Sequence, residues 1–195
     1  MNFLAHIYLS GDSDEILVGN FIGDYVKGKE YLQYPLNIRK GIMLHRSIDA
    51  FTDRHPITRA SKSFVMDKYG KYSGIVVDIF YDHFLANHWS SFSDQPLNRF
   101  IHRKYSILNS NFSVFPDGVK LFFPYFVRSN WLEAYATMDG LESVLRRMAY
   151  RTSLPEFSDY AIIQLKNNYQ SLSNGFVVFF REIVDYVTQE YSIIL

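Results

Sequence analysis

Apolar residues recur at intervals of three and four along almost the whole chain, while segments that alternate apolar and polar residues between turn signals are scarce. That period belongs to the α-helix, in which positions i, i+3 and i+4 share one face. Ten glycines and six prolines in 195 residues leave few interruptions. The pattern predicts an all-α fold, a single-domain helical bundle over residues 1–195, because this length builds one core and no linker, repeat or low-complexity tract divides it. The predicted helices cover 2–9, 13–27, 36–53, 57–69, 73–92, 96–109, 117–128, 130–150, 157–171 and 173–192.

Local punctuation supports these spans. Pro35, Pro56, Pro96, Pro116 and Pro155 stand where helices are predicted to begin, a position at which a missing N–H costs nothing. Gly11 reads as a stop, and Asp12 with Glu15 three residues later as a capping arrangement for the second helix. The stretch VVDIFYDHFLANHW, 76–89, is rich in strand-forming residues, but its length marks it as a buried helix.

Composition removes several function classes. There is no cysteine, so disulfides, thiolate metal sites and thiol nucleophiles are excluded, and any metal must be held by His, Asp or Glu. Twenty basic residues balance twenty acidic ones, so bulk charge selects neither nucleic acid nor a membrane surface as partner. The opening MNFLAHIYLSGDSDE lacks the pattern of a signal peptide, and apolar runs such as FVVFF are too short to span a bilayer; the expected location is cytoplasmic. No GxSxG, Walker loop, GxGxxG, HExxH or di-iron ExxH pair is present.

The informative anomaly is charge on faces that should be buried. With Ile38 as origin and 100° per residue, His45 falls at about −20° and Asp49 at about 20°, inside the apolar stripe of the third helix. Arg39, Lys40, Ser47 and Arg54 fall on the opposite side. In the fifth helix Asp82 lies among Ile75, Ile79, Ala86 and Trp89, with Asp78 beside them and His83 at the edge. Asn20 and Asp24 are one turn apart in GNFIGD, and His6 sits in an apolar first helix. An unpaired buried carboxylate costs several kcal/mol or takes up a proton. A divalent cation shared by Asp and His from separate helices would compensate all of them at once. Residues 39–71 also carry eight Lys or Arg against three acids, which suits an acidic or phosphate-bearing partner. On the residues alone, a metal-dependent phosphohydrolase and a non-catalytic helical module with salt-bridged interior charges both remain open.

Four blocks, MNFLAHIYLS, GNFIGDYVKG, GIMLHRSIDAFTD and DIFYDHFLANHW, in this order and spacing, resemble the bacterial acyl carrier protein phosphodiesterases. The likeness is strongest through about residue 90 and continues more weakly through NWLEAYATMDGLESVLRRMAYR. It implies hydrolysis of the phosphodiester joining 4′-phosphopantetheine to a serine of holo acyl carrier protein. It also implies an all-helical, HD-domain-like fold, divergent from HD metal-dependent phosphohydrolases, and manganese as cofactor. The ordinary His-Asp doublet of that group is missing, and only the reversed Asp82-His83 occurs. Read through this resemblance, Asp24, His45, Asp49, Asp78 and Asp82 are the expected metal ligands. His6 or His83 is the expected proton donor to the leaving serine oxygen, and Arg46 the expected phosphate contact. Acyl carrier proteins are small and strongly acidic, so Arg39, Lys40, Arg54, Arg59 and Lys62 are the expected docking residues. The nearest rival within the same chemistry is an HD-type enzyme acting on a nucleotide or other small phosphoester.

Overall fold

The computed structural model describes residues 1–195 and contains helices and connecting turns, with no strand. In chain order the helices are α1 Phe3–Tyr8, α2 Asp14–Ile22, α3 Leu36–Arg54, α4 Pro56–Ser63, α5 Met66–Tyr69, α6 Ser73–Asn87, α7 Leu97–Ser110, α8 Asp117–Arg128, α9 Trp131–Ala134, α10 Met138–Arg151, α11 Ser158–Asn167 and α12 Tyr169–Tyr191. Short 3₁₀ turns extend or link several of them. Helix α6 packs against α1, α4, α10 and α12, which explains why its sequence carries no polar stripe. Fifty-one buried apolar residues form one contiguous cluster, so the expected all-α architecture is built around a single core. No helix is long and apolar enough to cross a membrane.

The most intimate packing joins α2 to α3. A Cβ on Gly19 would lie 2.1 Å from the Ile38 carbonyl oxygen, and one on Gly41 would lie 2.2 Å from that of Ile16. Two facing glycines therefore let the backbones touch, which brings the C-terminal half of α2 against the His45 turn of α3. Gly41→Ala is expected to destabilise the protein by about 3 kcal/mol, because backbone and not a side-chain tip must give way. A urea unfolding midpoint equal to that of the parent protein would contradict this reading.

Departures from the predicted spans have local causes. The expected helix at 13–27 ends at Ile22 and tightens into a 3₁₀ turn, Gly23–Tyr25. Its cap is Ser13 and not Asp12, with the Ser13 hydroxyl accepting from the Ile16 N–H at 3.4 Å. The 57–69 span divides into α4 and α5, and 130–150 divides into α9 and α10. In the second case Thr137 caps α10 by accepting from Gly140 N–H at 3.1 Å, and Gly140 abuts the Ala134 carbonyl. Pro35, Pro96 and Pro116 precede their helices directly and Pro56 opens α4. Pro155 lies in the connection before α11, which starts at Ser158.

Candidate metal centre

Three helices converge on one point. His6 of α1 and His45 of α3 stack with ring centroids 4.1 Å apart, and Asp49, one turn beyond His45, faces both. Asp49 Oδ1 lies 3.2 Å from His6 Nε2, and its Oδ2 lies 3.2 Å from His45 Nε2. Asp24, in the turn after α2, puts Oδ1 3.2 Å from the same His45 nitrogen. Gly23 makes room for the stack, since a Cβ there would fall 2.3 Å from the His45 ring.

Asn20 of α2 fixes both rings. Its Nδ2 donates to the His6 carbonyl at 2.8 Å and to Ser10 Oγ at 2.9 Å, which turns its Oδ1 toward His6 Nδ1 at 2.7 Å. The Asn20 backbone carbonyl receives His45 Nδ1 at 2.8 Å. Both acceptors are oxygens, so each ring donates from Nδ1 and presents Nε2 to Asp49. His45 Nε2 is buried and has no aligned hydrogen-bond partner, although two carboxylates stand close by. Two imidazole Nε2 atoms and a carboxylate oxygen within 4.8 Å of one another form a donor set suited to manganese, iron or zinc. The residues thus fit the cation inferred from the sequence.

Without a metal, a proton serves as the cation. Burial works against the charged form of His45, but the attraction of the Asp24 and Asp49 carboxylates, each 3.2 Å from its Nε2, outweighs it and raises the pKa to about 9. Burial, reinforced by the His45 charge, lowers that of His6. Asp49 resists burial and stays far below the usual carboxylate range because both histidines face it. The folded pKa of His45 exceeds its unfolded value of 6.5, so its stabilising contribution is complete below about pH 6.5 and disappears as the pH rises through about 9. The melting-temperature gap between the metal-free protein and His45→Gln is therefore expected to shrink over that interval. Metal must displace the same proton, so Mn²⁺ affinity should rise over it. A gap that widens and an affinity that stays flat would contradict the assignment.

Asp49 opens onto a cavity of about 1030 Å³. Its acidic side includes Asp24, Asp53 and Asp78, its cationic groups are Lys62, Lys71 and Arg151, and Phe3, Phe122, Trp131 and Met148 form part of an apolar wall. Lys62 pairs with Asp53 at 2.8 Å. A site of this size joins a cation-binding corner to a long apolar flank.

Comparison with known proteins gives the family. The family model described as acyl carrier protein phosphodiesterase matches residues 1–183. A protein of that name from Yersinia pestis is 32% identical over 181 residues, 92% of this chain and 94% of its own length. The chain belongs to the acyl carrier protein phosphodiesterase family. Relatives with the same name from Salmonella paratyphi A and Enterobacter sp. (strain 638) are also 32% identical, each covering 92% of this chain and 94% of their own. No solved structure matches the chain.

In this member of the acyl carrier protein phosphodiesterase family, some expected site residues are brought together and others are engaged elsewhere. Asp82 is fully buried, but its oxygens accept the Leu4 and Ala5 N–H groups at 2.7 and 3.2 Å. Burial raises its pKa to about 7, against those hydrogen bonds, and its place is beneath the N-terminus of α1 and not among the cation donors. His83, expected as a proton donor, does not line the cavity: Nδ1 meets the Tyr135 carbonyl at 2.7 Å and Nε2 the Tyr169 hydroxyl at 3.1 Å. Arg46 donates to the Val26 and Gly28 carbonyls and lies over Tyr31, so it clamps the turn after α2 and does not face the cavity. Asp78 does line the cavity, with the Met1 amine 3.1 Å away. His6 joins the donors themselves.

Among the expected docking residues only Lys62 reaches the cavity. Arg39 bonds the Tyr34 carbonyl, Arg54 bonds that of Ala50, and Lys40 and Arg59 are exposed. His55, next to the proline that opens α4, is buried: its Nδ1 accepts the Ile57 N–H and its Nε2 donates to Glu182 at 3.0 Å. Sequence reasoning missed Asp53, Lys71 and Arg151 as cavity residues and gave Asn20 no role. The GNFIGD block held the available signal for Asn20, an amide placed between two glycines that the packing requires.

Proposed function

We propose that this protein is a metal-dependent phosphodiesterase that hydrolyses the 4′-phosphopantetheine–serine phosphodiester of holo acyl carrier protein, releasing apo acyl carrier protein and 4′-phosphopantetheine. The observation that carries the reading is the convergence of His6, His45 and Asp49 beside a large cavity in a chain of this family. In the reaction, a water oxygen bonds to phosphorus, the bond from phosphorus to the serine oxygen breaks, and that oxygen takes a proton. His6 Nε2, His45 Nε2 and Asp49 would hold the divalent cation, manganese in our reading. The cation supplies positive charge to the phosphoryl oxygens and lowers the pKa of water.

The chain's own groups do the positioning. Asn20 keeps both imidazoles in the tautomer that offers Nε2. Asp24 stands against His45 with a largely exposed carboxylate, which makes it the fourth donor we assign. Asp78, whose pKa burial raises against the pull of the Met1 amine, is the cavity group we assign to hold a proton. Lys62, oriented by Asp53, is assigned to a non-bridging phosphate oxygen. The apolar wall of Phe3, Phe122, Trp131 and Met148 gives the pantetheine arm a surface that excludes water.

The test is incubation of the protein with Mn²⁺ and holo acyl carrier protein, followed by mass spectrometry of the carrier. Loss of the phosphopantetheine mass is expected, and chelator should stop it. No loss with any divalent ion would overturn the proposal.

A further inference from the structure

Three guanidinium groups gather around a single ring on the rim of the cavity. Arg151 of α10 lies 4.3 Å from the Tyr125 centroid, Arg147 lies 5.8 Å away and Arg128 of α8 lies 6.0 Å away. None of the three is in an ion pair, and Nη1 of Arg147 is buried without a hydrogen-bond partner. The neighbouring Arg146 shows how this helix treats an arginine with a structural task. It meets Glu142 at 2.8 Å, Glu156 at 3.2 Å and Asp159 at 2.5 Å, which ties α10 to α11 and the loop before it.

Like charges gathered without a counter-ion repel one another, and stacking on tyrosine offsets only part of that cost. The arrangement is therefore prepared for an anion from outside. The same two helices expose Tyr150 and Leu121, 91% and 84% accessible, and Tyr150 lines a depression of about 400 Å³ together with Tyr125, Arg146, Arg147 and Arg151. Arg151 and Leu121 also line the main cavity, so whatever docks here sits at its mouth. Exposed tyrosine and leucine interleaved with free arginines across two helices make an extended area, the composition of a protein-binding surface more than of a pocket for one small anion.

We infer that this α8–α10 edge, centred on Tyr125 with Arg128, Arg147 and Arg151, docks a protein surface rich in carboxylates. Resting on the reading above, that partner is the carrier protein, held so that its modified serine faces Asp49. This surface is built from the C-terminal half of the chain and lies outside the basic run at 39–71.

Binding of apo carrier protein, which has no phosphodiester, tests the inference by isothermal calorimetry over a range of chloride concentrations. Arg128→Glu/Arg151→Glu is expected to weaken binding at least ten-fold and to flatten its salt dependence, with Arg128→Gln/Arg151→Gln falling between it and the parent. Arg99→Glu/Arg181→Glu makes the same change in net charge on α7 and α12 and is expected to weaken binding less than two-fold. Melting temperatures check that each variant folds. Equal weakening by both Glu pairs, no weakening by the α8–α10 pair, or displacement of the carrier by inorganic phosphate at matched ionic strength would overturn it. Because the apo carrier is not a substrate, failure to release phosphopantetheine would sink the catalytic reading without affecting this result.

Discussion

Asp49→Asn is expected to lower phosphopantetheine release from holo carrier protein by on the order of a thousand-fold, equivalent to about 4 kcal/mol of transition-state stabilisation. The carboxylate is the only group that faces both histidines, with one oxygen 3.2 Å from each Nε2. Asparagine keeps the shape but offers one neutral oxygen, so the cation loses its anionic donor. Burial then meets less opposition at both imidazoles, with Asp24 alone still facing His45. Metal content measured after dialysis should fall with activity, while the helical signal should persist, since Asp49 is only half-buried and outside the main core. A variant that retains both metal and turnover would remove Asp49 from the centre.

Asn20→Ala has the second largest expected effect and acts through stability as well as chemistry. Its fully buried side chain bonds His6 Nδ1, the His6 carbonyl and Ser10 Oγ, so truncation leaves His6 Nδ1 without a partner and leaves the carbonyl and Ser10 Oγ only their bond to each other. A loss of about 2–3 kcal/mol is expected from the unmade hydrogen bonds. Release of the His6 tautomer should also weaken metal affinity by about 10–100-fold, as for other groups that orient metal-binding histidines. Guanidinium unfolding and Mn²⁺ titration read the two effects separately. Unchanged metal affinity in a destabilised variant would show that His6 keeps its orientation without Asn20.

The helical period pointed to the residues at the centre of the candidate site, and it also marks where such reading stops. On α3 it placed His45 and Asp49 inside the apolar stripe, and the structure buries His45 and turns Asp49 toward it. On α6 the same argument pointed Asp82 inward correctly, yet the compensating charge there is the pair of amides at the start of α1. Periodicity reports that a carboxylate is hidden, not which partner neutralises it. His83 illustrates the companion error, because residues adjacent in sequence leave a helix about 100° apart and serve different neighbours. Arg46 follows the same logic, being next to His45 but drawn to the loop carbonyls of Val26 and Gly28.

The glycines that set the geometry were visible only as helix-weakening residues. Gly19, Gly23 and Gly41 acquire meaning when a facing backbone or ring is known, and that information is tertiary. Arg151 carried no local signal at all. It shares the cavity with Asp49, 102 positions earlier in the chain, because α10 folds back against α6.

A single cation held among His6 Nε2, His45 Nε2 and Asp49 is visible to X-rays as a bound metal. Crystals of the protein grown with Mn²⁺ and measured on both sides of the manganese absorption edge test for it directly. An anomalous difference peak bonded to those three groups is expected, and it should vanish in Asp49→Asn crystals. A peak on Asp78 and Asp82 instead, or none in protein that still hydrolyses holo carrier protein with Mn²⁺, would contradict it.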